Sequence, residues 1–329
     1  MSATGLYQNI FSKNIDEQVL VEHYPKILPT LLLDRTTKRN IVWATDDYKE
    51  VSCLHQANAE ITVASITGRY SELIAPRIAK SRDLQLSRTK EKAEVFTPSW
   101  ICNEQNNLVD EAWFGRSKVF NCANNRSWTL TTEKIEFLNS HSKSWTAYVD
   151  ERRMEITCGE APYLVSRYDA TTGEIIPLKQ RIGLLDRKLR VVKENASSET
   201  DWLKWSKRAF ESIYGFEYQG DSLLLARENL LATYADYMSD SLNRKPTESE
   251  LLSIATIISW NIWQMDGLTG YPPYCDAPTL NIQPTIFDFI DGSISTHTAI
   301  PCRIKDWRSN KIHTFNDLLS QEKNDESSR

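Results

Sequence analysis

The sequence predicts an α/β fold for the second half of this 329-residue chain. From about residue 150 onward, short strand-like segments alternate with helix-like segments, a pattern typical of a sheet covered by helices. The length allows one large domain or two modest ones with real hydrophobic cores. Charged residues make up 25% of the chain and apolar residues 40%, which is ordinary for a soluble globular protein.

Each element of this series has a local signal. The predicted helix from Asp201 to Ile213 places its apolar residues on one side and stops at Gly215. Residues Pro246 to Glu250 form a capping box before an apolar helix from Leu251 to Ile258. The other predicted elements, in chain order, are a strand from Arg153 to Thr157, a strand from Phe216 to Tyr218, a helix capped by Asp221 or Ser222 that runs through Met238, and a strand from Asn261 to Met265.

The first 75 residues or so have a mixed pattern. A helix-like stretch from Glu17 to Leu33 is interrupted by two prolines, and Ile61 to Ile66 is predicted as a strand. The most basic segment follows, from Arg77 to Lys92, with six cationic residues against two acidic ones. A charge run taken alone is more often a solvated helix face than a functional site. The alternative is an arm that contacts phosphates.

Composition narrows the range of functions. A net charge of −5 lowers the chance of nucleic-acid binding without excluding it, because positive charge can be concentrated in a cleft. The six cysteines form no Cys-x-x-Cys pair and the five histidines are isolated, so we expect reduced thiols and no metal site. With neither a secretion signal nor a run of about eighteen apolar residues, we expect a cytoplasmic protein without a membrane span.

Four blocks stand out in the sequence, and two of them contain what a nucleotide-like cofactor requires. Such a cofactor lies outside the carboxyl ends of the strands, beside a small loop and an acid that accepts hydrogen bonds from ribose. Gly159 permits a close turn after the first strand, and Glu217 is the acid at the end of the second. The four blocks are Phe96-Thr97-Pro98, the loop from Glu155 to Val165, Tyr214 to Leu230 and Asn261 to Leu268.

In order and spacing, these blocks resemble those of DNA adenine-N6 methyltransferases of the restriction endonuclease subunit M type. The resemblance covers most of the chain from about residue 35. It implies a Rossmann-like fold that binds S-adenosylmethionine (SAM), preceded by a mixed N-terminal region. The implied division is residues 1–92 for that region with its basic arm, 93–320 for the cofactor domain and 321–329 for a flexible tail. The implied cofactor contacts are Phe96, Thr97, Pro98, Glu155, Cys158, Gly159, Ala161, Glu217 at the ribose and Asp266 at the adenine edge.

The implied function is SAM-dependent methylation of adenine N6 in DNA, by a modification subunit of a restriction–modification or phage-related system. DNA and a specificity or restriction subunit are the implied partners. The alternative is a non-catalytic relative, a methyltransferase-like scaffold that binds DNA or a partner protein with or without SAM.

Two departures from the family pattern affect the expected chemistry. Ala161 stands where a second glycine is usual, and Glu160 lies near the expected position of the cofactor carboxylate. The motif that holds the target amino group is an Asn, Asp or Ser followed by Pro-Pro and an aromatic residue. Here the only similar stretch, from Tyr271 to Tyr274, begins with Tyr and comes five residues after Asp266. We therefore expect Asp306 to accept the hydrogens of the target amino group and Trp307 to stack on the target base. The alternative is that Asp306 caps a helix and Trp307 is a core residue.

Overall fold

A computed structural model of the chain describes residues 15–80, 88, 97–138, 141–275 and 300–317. Phe96, Arg82, Lys90, Lys92 and the expected tail at 321–329 lie outside these residues. The described α-helices are α1 (Glu17–His23), α2 (Ile27–Leu32), α3 (Val63–Ile66), α4 (Ser99–Phe114), α5 (Trp145–Asp150), α6 (Leu184–Asn195), α7 (Glu199–Glu211), α8 (Gly220–Leu242) and α9 (Glu248–Asn261). The strands are β1 (Asn121–Asn124), β2 (Ser127–Leu130), β3 (Arg153–Ile156), β4 (Ile213–Glu217), β5 (Ile262–Gln264), β6 (Arg303–Asp306) and β7 (Lys311–Thr314). Single turns of 3-10 helix occupy Cys53–His55, Gly68–Tyr70, Arg77–Ala79, His141–Lys143 and Leu178–Gln180.

The central sheet is parallel and has the strand order β3-β4-β5. Its register pairs Glu155 with Gly215 and Phe216 with Trp263. The chain passes from β3 to β4 through α6 and α7, and from β4 to β5 through α8 and α9. The expected α/β class is therefore confirmed, and the carboxyl ends of all three strands meet at one edge of the sheet.

One face of the sheet is covered by a hairpin, and helices surround the rest. Strands β6 and β7 pair antiparallel, and this hairpin buries Cys302 and Ile304 against Tyr214, Phe216 and Trp263. Strands β1 and β2 form a second antiparallel hairpin. The larger of two clusters of buried apolar side chains contains residues from both sides of residue 92.

Helix α8 begins differently from the sequence expectation. Its N-cap residue is Gln219 without a side-chain cap, so the expected cap at Asp221 or Ser222 is wrong. Gly220 is required there, since a Cβ at this position would lie only 2.0 Å from the carbonyl oxygen of Val42. By contrast, the capping box at α9 is confirmed, with Thr247 and Glu250 bonding to each other's backbone.

The N-terminal region contains short helices rather than the expected strand. Thr62 and Ser65 form a capping box, and α3 occupies the stretch from Val63 to Ile66. The strand expectation is wrong here because these local side-chain bonds satisfy the backbone of a helical turn. In the part of the chain that the structure describes, no helix has the length and apolar character needed to span a membrane.

Candidate functional site at the carboxyl edge of the sheet

The loop after β3 has an unusual backbone. Thr157, Gly159 and Ala161 all have positive φ angles, at 50°, 53° and 64°. For the two non-glycine residues this left-handed conformation costs roughly 1–2 kcal/mol each. The loop is held by the neighbouring strand, because Cys158 N–H donates to the carbonyl oxygen of Phe216 at 2.8 Å. A strained turn is thus fixed at the place where the cofactor loop is expected.

Glu217, at the end of β4, organises this loop. Its carboxylate accepts hydrogen bonds from the backbone N–H groups of Gly159 at 2.9 Å, Tyr218 at 2.9 Å and Gln219 at 3.1 Å. Burial raises the pKa of Glu217, and the three backbone bonds act in the opposite direction. Because a carboxylate has about four acceptor positions, one remains for a ligand hydroxyl. To accept from both hydroxyls of a ribose, Glu217 would have to give up one of its backbone bonds.

Glu155 supports the far half of the loop from within β3. It is buried and accepts from the N–H groups of Tyr163 at 3.3 Å and Leu164 at 3.1 Å. Burial raises the pKa of Glu155 to about 8, so the carboxyl is held largely neutral at pH 7. Cys158 is also buried, and burial raises the pKa of its thiol. Both residues belong to the support of the loop.

Glu160 points its carboxylate into the protein. One oxygen accepts from the backbone N–H of Arg77 at 2.6 Å, and the other from the hydroxyl of Tyr168 at 2.5 Å. Asn229 donates to the Glu160 carbonyl oxygen. The expected repulsion between this acid and a cofactor carboxylate is therefore reduced, because protein donors already engage the Glu160 side chain.

The Thr-Pro segment lies against the same loop. Burial raises the pKa of Tyr163 and the side chain of Thr97 acts in the opposite direction, so the two side chains lie close together. Asn106 on α4 donates to the carbonyl oxygen of Tyr163 at 3.0 Å. Pro98 is the N-cap residue of α4. Two blocks that are about sixty residues apart in the sequence are thus brought together.

Asp266 follows β5 at the same edge and sits in a tight turn. Its carboxylate accepts from the Leu268 N–H at 2.8 Å, and its own N–H donates to the carbonyl oxygen of Tyr271 at 2.8 Å. Tyr271, Pro272 and Pro273 are buried. The Tyr-Pro-Pro-Tyr stretch therefore lies beside the carboxyl edge of the sheet, although its sequence position argues against a catalytic motif.

Two aromatic residues at this edge were not selected from the sequence. Tyr218 and Tyr274 are 36% and 57% exposed, and they lie close enough together for each side chain to affect the pKa of the other. Tyr274 has a φ of 59°, the left-handed conformation again. The available signals were that Tyr218 directly follows Glu217 and that Tyr274 is the aromatic residue after two prolines.

Asp306 and Trp307 lie at the opposite edge of the sheet. Asp306 accepts from Arg152, which directly precedes β3, at 2.9 Å. Trp307 donates from its indole nitrogen to Asn261, which directly precedes β5, at 2.7 Å. Strands of three to five residues rise roughly 10–17 Å, so these side chains are about that far from the carboxyl edge of the sheet. The assignment of Asp306 and Trp307 to the target-base pocket is corrected accordingly, since both hold the hairpin to the amino ends of the strands.

The basic segment is also partly internal. Lys80 and Arg88 form buried ion pairs with Asp221, at 2.8 and 3.0 Å, and Arg88 also pairs with Asp47 at 2.6 Å. Arg88 is completely buried, so the expectation that it contacts phosphate is corrected. Lys80 has a side chain only 5% exposed. Two of the six cations therefore stabilise the fold.

No protein-family model matches the chain, and searches of curated proteins and of solved structures found no match either. Among the residues that the structure describes, no group of three or more His, Cys, Asp or Glu side chains is arranged to hold a metal ion.

Proposed function

We propose that this chain binds SAM at the carboxyl edge of the β3-β4-β5 sheet and methylates adenine N6 in DNA. The observation that carries the proposal is the bond between Gly159 in the loop and Glu217 on the next strand, at 2.9 Å. This bond joins a narrow loop to an acid at the end of the next strand, and that arrangement supports a role for Glu217 in binding ribose. The contact between Thr97 and Tyr163, and the position of Asp266 at the same edge, support the same assignment.

Each residue at this edge has a definite task in the proposal. The remaining acceptor position of Glu217 takes a ribose hydroxyl, and Asp266 accepts at the adenine edge with the carboxylate oxygen that does not bond to Leu268. Thr97 and Pro98 border the loop. A bound SAM supplies an electrophilic methyl group. Since transfer needs in-line approach of the nucleophilic nitrogen, the protein contributes mainly positioning and electrostatic stabilisation.

The cofactor assignment is tested by calorimetric titration of SAM into the wild-type protein and into Glu217→Gln. Loss of a charge-assisted hydrogen bond should weaken SAM binding by about tenfold or more. Glu104→Gln is the matched control, because Glu104 is exposed on α4. Since Glu217 also holds the loop, urea unfolding of each variant distinguishes weaker binding from lost structure. Absence of SAM binding by the folded wild-type protein would refute the cofactor assignment.

A second candidate function is a methyltransferase-like scaffold that binds DNA or a partner protein without transferring a methyl group. Two observations favour it. Glu217 already accepts three backbone hydrogen bonds, and the acceptor expected at Asp306 lies at the far edge of the sheet. Transfer of tritiated methyl groups to adenine-containing DNA separates the two candidates, since a scaffold binds SAM or DNA but leaves the DNA unlabelled.

A further inference from the structure

Strand β3 is an edge of the parallel sheet that the described residues leave uncovered. The sheet has two edge strands, β3 and β5. The residues of β5 are all buried, and Arg227 donates to the carbonyl oxygen of Ile262 at 2.8 Å on that side. In β3, by contrast, Met154 and Ile156 are 45% and 69% exposed. An exposed apolar edge strand is a place where another strand pairs readily.

The backbone of β3 offers hydrogen bonds on its free side. Arg153 N–H donates to the carbonyl oxygen of Ser212, which directly precedes β4, at 3.0 Å. Because the backbone groups of a strand point alternately to its two sides, those of Met154 and Ile156 point away from β4. Within the part of the chain that the structure describes, neither N–H has an acceptor and the Met154 carbonyl oxygen has no donor. The Ile156 carbonyl oxygen accepts from the Thr157 hydroxyl at 2.7 Å and has a second lone pair. These groups select an extended backbone as the partner.

The exposed side chains of β3 lie together on one face of the sheet. The register pairs Met154 with Tyr214 and Ile156 with Phe216, so all four side chains are on the same face. The β6–β7 hairpin packs on Tyr214 and Phe216, and Met154 and Ile156 do not belong to that cluster. The hairpin therefore covers β4 on this face and leaves an apolar stripe on β3.

A second copy of this chain fits the stripe because the edge is self-complementary. When two β3 strands lie antiparallel about a twofold axis at Glu155, Met154 of each copy stands opposite Ile156 of the other. In this register the opposed residues exchange their free N–H and C=O groups, which gives four backbone hydrogen bonds. The four exposed apolar side chains also pack in pairs on one face.

Charges near β3 are compatible with the same register. Arg152 and Arg153 lie at the amino end of β3, and each stands opposite a neutral residue of the loop of the second copy. This basic end then lies along the carboxyl edge of the other sheet, where Glu217 is located. The two Glu155 carboxyls face each other across the axis, but each is bonded to its own loop. Burial raises the pKa of Glu155 to about 8, so at pH 7 the two carboxyls are largely neutral and repel little.

We propose that this chain forms a homodimer in which the two β3 strands pair antiparallel and join the three-stranded sheets into one sheet of six strands. A contact between two short strands is small, so we expect a reversible dimer with a dissociation constant of about 10–100 µM. The proposal does not rest on the methyltransferase assignment, because it uses only the backbone and side chains of β3.

Sedimentation velocity of the wild-type protein between about 1 and 200 µM tests the proposal. The expected result is a monomer–dimer equilibrium, with amide hydrogen exchange in residues 153–157 at least about twofold slower at the highest concentration than at the lowest. A protein that remains monomeric at about 200 µM overturns the proposal and leaves the edge to a strand of a different polypeptide. Association without slower exchange in residues 153–157 also overturns it, because the dimer then forms elsewhere.

Two variants locate the contact. Ile156→Lys places a charge against Met154 of the second copy and should weaken the association at least about tenfold. Met154→Pro removes an outward N–H without removing a bond to β4, and it should weaken the association to a similar degree. Leu108→Lys is the matched control, because Leu108 on α4 is an apolar residue with a comparable exposure of 66%, and it should associate like the wild-type protein.

Urea unfolding of each variant shows whether the fold is intact. If Met154→Pro is unfolded, Ile156→Lys alone decides, since its side chain is exposed in the single chain. Association of wild-type strength in the folded β3 variants refutes the contact. SAM titration of the same proteins reports separately on the proposed function.

Discussion

Asp221→Asn should strongly destabilise the fold, because Asp221 anchors the buried part of the basic segment. Its carboxylate accepts from Lys80 at 2.8 Å, Arg88 at 3.0 Å and the hydroxyl of Tyr48 at 2.8 Å. Asp221 and Arg88 are fully buried. The substitution keeps the size of the side chain while removing the charge that compensates two buried cations.

The expected cost follows from what each cation retains. Removal of one partner from a buried ion pair typically costs about 3–5 kcal/mol. Arg88 keeps its contact with Asp47 at 2.6 Å, so we expect a loss of about 3 kcal/mol, at the lower end of this range. The pairing with Lys80 and Arg88 lowers the pKa of Asp221 below its ordinary value, against the opposing effect of burial.

The pH dependence gives a second signature of the same contact. A carboxyl whose folded-state pKa is lowered contributes stability above its unfolded pKa, near 3.8, and loses it as the pH falls through the folded pKa. The difference between wild-type protein and Asp221→Asn should therefore be complete at pH 7 and shrink below about pH 4.

Urea unfolding monitored by tryptophan fluorescence measures both effects. Glu50→Gln removes the same charge from an exposed residue of the N-terminal region and should change the unfolding free energy by less than about 0.5 kcal/mol. A loss below about 1 kcal/mol in Asp221→Asn, or a difference that does not depend on pH below 4, would refute the ion-pair assignment.

Two further predictions concern buried positions around α8. The pKa of Glu228 is raised well above its ordinary value by burial and by Glu17, whose own pKa is raised to about 7, so the folded chain keeps protons that the unfolded chain has released. The unfolding free energy of the wild-type protein should therefore fall as the pH rises from about 4.5 to 7. Glu228→Gln should flatten this pH dependence and raise the unfolding free energy at pH 7 by more than about 1 kcal/mol. A steeper pH dependence in the variant than in the wild-type protein would contradict this prediction. Gly220→Ala would place a Cβ 2.0 Å from the Val42 carbonyl oxygen, so thermal unfolding should show a loss of about 2–3 kcal/mol in unfolding free energy. A loss under about 0.5 kcal/mol would show that the segments around Val42 and Gly220 separate easily.

The sequence was sufficient where local pattern decides the outcome. The three strands of the sheet occur in the expected order, and the capping box at Thr247 depends on residues within a few positions of one another. The second strand begins at Ile213, where the sequence predicted the end of a helix, and not at Phe216. Local pattern failed at Asp221, which has the right position for a helix cap. Its partners Lys80 and Arg88 lie more than 130 residues away in the sequence, and the buried ion pairs with them determine the role of Asp221.

The candidate site was predictable to a similar degree. The four blocks identified the loop, the acid and the turn, and the structure brings Thr97, Gly159, Glu217 and Asp266 to one side of the sheet. The place of Asp306 and Trp307 was not predictable from spacing, because their hairpin folds back across the sheet to Arg152 and Asn261. Distance along the sequence after Asp266 gave no information on which edge the hairpin reaches.

The three hydrogen bonds to Glu217 have opposite consequences for the two candidate functions. They fix the loop before any ligand arrives, which lowers the ordering cost of binding, as a preorganised site requires. They also use most of the acceptor capacity of the carboxylate, which limits what a ribose can gain. The positive φ angles of Thr157 and Ala161 are an argument for the first candidate function. A loop that served only as a scaffold could relax this strain, whereas a loop shaped for close approach of a ligand retains it.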